Sequence, residues 1–221
     1  MLGINDDFAR LAVMHSDEME FQPSPSPDVW RKRLEHSGGV ESGRVTSIVR
    51  YGAGSRFAAH RHPEGEEFFV LEGTFCDEDG EYPSGTFVLN PDGSAHAPFS
   101  PDGCVLFVKL RQYPGIGRRR VVIDTRQAAW QAHAHAGVTV LPLYQEPGYA
   151  EEIHLVRLAS GVDIAPVAFP DGEEILVLDG EFADEHGAYR KGSWVRYPRG
   201  SQHAPRSATG CTLYVKKGHL V

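Results

Sequence analysis

The chain has 221 residues, 41% hydrophobic and 24% charged, with 24 glycines and 15 prolines; this length holds one large all-β domain or two of about 100 residues each, and so many turn formers suit short strands better than long helices. A formal net charge of -8 argues against nucleic acid as a partner, because phosphate binding needs cationic side chains to displace counterions. Three cysteines, Cys76, Cys104 and Cys211, make no disulfide framework, no leader of basic and apolar regions opens the sequence, and no apolar run nears the roughly 20 residues of a membrane helix, so the expectation is a soluble cytoplasmic protein without a membrane partner.

In chain order, the alternating Pro and Ser of residues 23–27 predict a turn or short extended piece, and residues 29–34 a short helix. Residues 67–71 are a short apolar run rich in strand formers. The dipeptide of Glu72 and Gly73 and the polar run Asp77, Glu78, Gly80 are turn signals. Residues 87–89 and 105–110 are further strands, the first closed by Pro91. Arg118, Arg119 and Arg120 form a basic run, expected to be a solvated loop before a strand at 120–124. Residues 125–135, rich in Ala and Gln, predict a helix.

From there the chain repeats itself. Residues 49–110 and 156–217 align without a gap at an offset of 107, with 30 identities in 62 positions. Two copies of one strand-and-turn unit, each the size of a small domain, follow directly. The boundary is placed near residue 115, giving domains 1–115 and 116–221. Turn signals at this density imply closed barrels or double-sheet jelly rolls, which remove exposed strand edges.

The chemistry concentrates in the first copy. Residues i and i+2 of a strand share a face, so His60 and His62 can converge. A turn at residues 63–65 would bring Glu66 onto the next strand, and His96 lies at the end of a later one. Three neutral imidazoles and a carboxylate suit a divalent first-row metal. Glu67 is the rival carboxylate, with the spacing favouring Glu66.

The run from Gly54 through His60, His62 and Glu66 to Gly73, and the run Gly85, Pro91, Gly93, His96, resemble the two cupin motifs at every fixed position. Ser100 stands where the family usually has an asparagine that is not a ligand. The resemblance implies two tandem cupin barrels (all-β, double-stranded β-helix or jelly-roll), with His60, His62, Glu66 and His96 as ligands of one divalent transition metal. Zinc or iron is foremost, manganese and nickel the alternatives. The turn carrying Asp77, Glu78, Gly80 and Tyr82 and the later Gly103 and Cys104 more closely resemble the cupin domain of ChrR-type anti-sigma factors, in which the cupin reads a stress signal.

In the second copy His60 becomes Val167 and His62 becomes Phe169, while Glu173 and His203 survive. No metal is expected there; the pocket is expected to be empty or to take an organic ligand, with Glu173 and His203 hydrogen-bonded to each other. His133 and His135 have strand spacing but no ligand role is expected. Cys104 and Cys211 occupy equivalent places, which points to packing, and no reactive role is expected for Cys76. Phe57, Phe68, Val70 and Phe87 are candidates to line an apolar pocket beside the metal, ordinary core being the expectation for most of them.

Two functions follow. One is a small-molecule or stress-sensing binding module of the ChrR-like type; direct sigma-factor binding is doubtful, because no Cys/His-rich helical domain precedes the first barrel in this sequence. The other is a metal-dependent dioxygenase acting on a small organic substrate such as a diketone. Whether the protein is an enzyme, and whether it pairs as a homodimer, the sequence leaves open.

Overall fold

The computed structural model describes residues 3–39 and 42–220. Among them the regular structure is β, apart from one 3-10 turn at Ser16–Glu18. Contacts divide the chain into two compact units. The first holds the chain up to Asp6 and Met19–Ala128; the second holds Asp7–Glu18 and the chain from Ala129 onward.

Each unit is an antiparallel double-sheet barrel of the expected jelly-roll type. In the first, the larger sheet runs Val121–Asp124, Thr86–Asn90, Glu66–Asp77, Cys104–Leu110, Arg44–Tyr51, Val29–Ser37, Gln22–Pro23. A small sheet pairs His60–His62 with Ser94–His96. In the second unit the order is the same: Ala12–His15, Ser193–Tyr197, Glu173–Ala183, Cys211–Lys217, Glu152–Leu158, Val138–Tyr144, Gln131–Ala132. Its small sheet pairs Val167–Phe169 with Ser201–His203.

The barrel cores obey the repeat. Phe68, Val70, Phe75, Tyr82, Val88 and Leu106 are buried together in the first. Ile175, Val177, Phe182, Tyr189, Val195 and Leu213, each 107 positions later, are buried together in the second. Burying such a side chain contributes about 1.5–3 kcal/mol, so alternate residues on these strands are fixed inward. One glycine per copy is required by close approach. The long strand bulges at Leu71; two residues on, Gly73 takes φ 70°, and a Cβ there would collide with the Gly103 carbonyl oxygen; Gly180 faces Gly210 in the same way.

Two expected helices are strands or turns. Residues 29–34 lie in Val29–Ser37, paired on both sides, and residues 125–135 form a turn followed by the short strand Gln131–Ala132. Ladder pairing overrides the weak local preference at both places. The basic run is not a solvated loop along its length either. Arg118 is buried and stacks over the Tyr113 ring, and Arg120 donates to Asn90 and Tyr82.

The repeat also extends further than identity reveals. Ala12 pairs with Arg196 and Val121 with Leu89. Arg196 and Leu89 are equivalent (196 − 107 = 89), so Ala12 and Val121 are too, at an offset of 109 (121 − 12). Each repeat therefore begins with a strand that completes the other repeat's barrel: Ala12–His15 lies in the second unit, Val121–Asp124 in the first. The two spatial units accordingly exchange these strands.

Candidate metal centre

His60 and His62 stand on one short strand with their side chains on the same face, and His96 stands directly opposite His60 across the small sheet. Glu66 opens the long strand after a turn in which Glu64 and Gly65 both take positive φ, 58° and 72°. That turn places Glu66 Oε2 3.5 Å from His62 Nε2 and 3.6 Å from His96 Nε2. One ring nitrogen from each of His60, His62 and His96 lies within 4.8 Å of the others, the one such cluster of histidine, cysteine and acidic side chains among the described residues. The Nε2 atoms of His62 and His96 are 2.9 Å apart. Ligands about 2.1 Å from a metal stand about 3 Å apart at right angles and about 3.4 Å apart at the tetrahedral angle, close to the separations among His62, His96 and Glu66.

Partners outside the cluster fix the rings. His60 Nδ1 bonds the Ala58 carbonyl at 2.9 Å and His96 Nδ1 bonds Asp77 Oδ2 at 3.1 Å, which leaves each Nε2 to present its lone pair inward. Tyr82 also donates to Asp77, at 2.9 Å, and Asn90 donates to Glu66 at 3.0 Å. Burial lowers the pKa of His62, with the Glu66 charge working the other way. Burial also opposes charge on His96, but the Asp77 hydrogen bond and the Glu66 and Asp77 charges outweigh it and its pKa is raised. Glu67, the rival carboxylate, faces the opposite side of the strand and accepts from Tyr113. Asp77 reads in the sequence as a turn residue; its survival as Asp184 in the second copy was the available signal of a larger part.

His60, His62 and Glu66 line a cavity of about 340 Å³. Phe57 lines it, with Tyr51 and Val108. Phe68, Val70 and Phe87 are fully buried and not part of its wall. The other barrel has a cavity of about 330 Å³, lined by Val167, Phe169, Glu173 and His203, with His133 and His135 also on its wall. There His203 Nε2 bonds Glu173 Oε2 at 2.9 Å, and its Nδ1 lies 3.3 Å from Asp184, a contact the sequence did not suggest. The ring stacks 4.0 Å from Tyr197 and 4.7 Å from Phe169. Burial works against its charge, but Asp184 and Glu173 raise its pKa to about 9. Cys76, Cys104 and Cys211 are free and buried.

Both barrels match one family of protein domains, described as the ChrR cupin-like domain, over residues 9–114 and 118–221. The chain belongs to the ChrR cupin-like family. Each matched segment begins just before the strand it gives to the other barrel. No curated protein matches the chain. Among solved structures, a candidate dioxygenase from Nostoc punctiforme is 13% identical, with a TM-score of 0.79 over 96% of this chain and 84% of its own. The Escherichia coli pirin YhhW, solved with nickel(II), is 15% identical, with a TM-score of 0.69 over 96% of this chain and 100% of its own. Oxalate decarboxylase from Bacillus subtilis is 10% identical, with a TM-score of 0.63 over 94% of this chain and 76% of its own. At such identities the likeness establishes the ChrR-like chain's fold and nothing finer.

Proposed function

We propose that the protein is a metal-dependent small-molecule-binding cupin whose first barrel holds one divalent transition metal through His60, His62 and His96, with Glu66 as the fourth ligand. The observation that carries this is the convergence of three imidazole nitrogens, two of them with their other nitrogen already bonded to a protein oxygen, at one end of a ligand-sized cavity. Zinc or iron is the first expectation; the neighbour solved with nickel(II) keeps nickel in the set. A bound octahedral ion would leave two positions for a chelating ligand and would act on it as a Lewis acid. The protein's own share is to orient and to exclude: Asp77 and the Ala58 carbonyl set the tautomers, Asn90 holds Glu66, and Tyr51 and Phe57 wall the cavity.

The signal-reading role of ChrR-type cupins supports a sensing function. A second reading, an oxygenase, is favoured by the open positions such an ion would have and by the fold shared with a candidate dioxygenase. Elemental analysis of the purified protein, before and after anaerobic iron loading, tests both. One equivalent of metal, lost in His62→Ala, is expected. Oxygen consumption with a β-diketone or small organic acid would select the oxygenase; tight zinc without oxygen consumption would select the sensor. A protein that takes up no metal refutes the proposal.

A further inference from the structure

The two cavities differ in charge as well as in histidines. Three arginines, Arg31, Arg61 and Arg111, line the first, against the single carboxylate of Glu66. The equivalent positions in the second copy are Val140 (31 + 109), Ala168 (61 + 107) and Gly218 (111 + 107). The second cavity is balanced instead, with Lys217 and His203 against Glu152 and Glu173. With Arg61, Arg111 and a bound divalent ion, such a cavity would be electropositive, and its low-dielectric walls would focus that field.

Arg111 is the informative member. Its backbone has φ 58°, the left-handed region that a Cβ disfavours. Its N–H donates to the Gly65 carbonyl at 3.1 Å, tying it to the turn that places Glu66. Gly218 takes the same conformation in the second copy, at φ 73°, where it carries no steric cost. The first barrel thus keeps an arginine where its own repeat shows that glycine serves, and that strained residue lines the cavity. Among the described residues no carboxylate pairs with the Arg111 or Arg61 guanidinium.

We propose that the ligand of the first barrel is a small carboxylic acid, spanning from the histidine cluster to Arg111, whose guanidinium accepts the carboxylate as a two-pronged donor. A guanidinium matches the two oxygens of a carboxylate in plane, and the cavity lies at the small end of the range for ligand sites. The proposal rests on the metal site described above, and the second barrel, without the arginines, does not share the preference.

The test is calorimetric titration of the full-length, metal-loaded protein with oxalate, malonate and 2-oxoglutarate, and with malonamide as the uncharged control. Metal content is measured on every sample. Arg111→Gly and Arg111→Lys are compared with wild type; the glycine variant adopts the residue of the second repeat and is expected to melt at a higher temperature. At least one acid should bind wild type, malonamide should not, and Arg111→Gly should keep its metal while binding that acid at least tenfold more weakly. Arg111→Lys should restore only part of the affinity. A metal-loaded wild type that binds none of the acids, or a metal-loaded Arg111→Gly that binds them as wild type does, overturns the proposal and leaves the metal site standing. A wild type without metal sinks both.

Discussion

His96 shows how a side chain acquires a role from its surroundings. Its place in the second cupin motif is visible in the sequence, but the partner that orients it, Asp77, is 19 positions away and reads locally as a turn. Only the barrel brings Asp77 Oδ2 to 3.1 Å from Nδ1. Asp77→Asn is expected to lower metal affinity about 10- to 100-fold, as loss of an orienting partner does elsewhere, and His96→Ala by more; competition with a chelator of known affinity measures both. The four proposed ligands were legible because motif spacing encodes strand alternation. Arg111 was not, because the signal there is a backbone angle.

The surviving pair in the second barrel makes a separate prediction. His203 has its pKa raised to about 9, against an unfolded value near 6.5. The stability it contributes is therefore fully present below pH 6.5 and is lost as pH rises through 9. Asp184, whose pKa its partners hold at about 2 against the cost of burial, is the other half of the same interaction and is counted once. The loss is bounded at about 3 kcal/mol, and His203→Gln should abolish the pH dependence. Urea midpoints measured from pH 6 to 9.5 on both proteins check it.

At the scale of elements, the strands of each repeated core were legible, since apolar residues at alternating positions and glycine turns carry them. The flanking strands were not. Residues 12–31 and 121–140 share only Val13 with Val122, Gln22 with Gln131, and Val29 with Val138, too little to show a repeat, and neither stretch alternates cleanly. Their pairing is decided by the barrel edge each one covers. Val13 pairs with Val195 and packs against the second core. A charge at Val13→Asp would be buried without a partner, at a cost of several kcal/mol. Hydrogen exchange should then quicken across Ser193–Tyr197, while Thr86–Asn90, its equivalent in the first barrel, keeps its protection.

At the scale of the molecule, the copies have kept a fold and parted in chemistry. The six core positions named for each barrel remain apolar or aromatic in both, whereas two histidines and three arginines of the first cavity have no counterpart in the second. An ion bound only by the folded first barrel adds about 2.7 kcal/mol at a concentration 100 times its dissociation constant. Amides of Glu66–Asp77 that exchange by global opening of that barrel should slow about 100-fold on metal addition. A matching slowing confined to Glu173–Ala183 would place the ion in the wrong barrel.

The reciprocal gift of first strands has a consequence for anyone who would take the protein apart. A single proteolytic nick in residues 115–117 severs the polypeptide between its repeats, yet each fragment then carries the strand that seals the other's sheet. Expressed alone, either half has an open edge able to recruit a second copy of itself, the ordinary starting point of strand-exchanged pairing. Mixed, the two halves have complementary edges and every reason to reassemble.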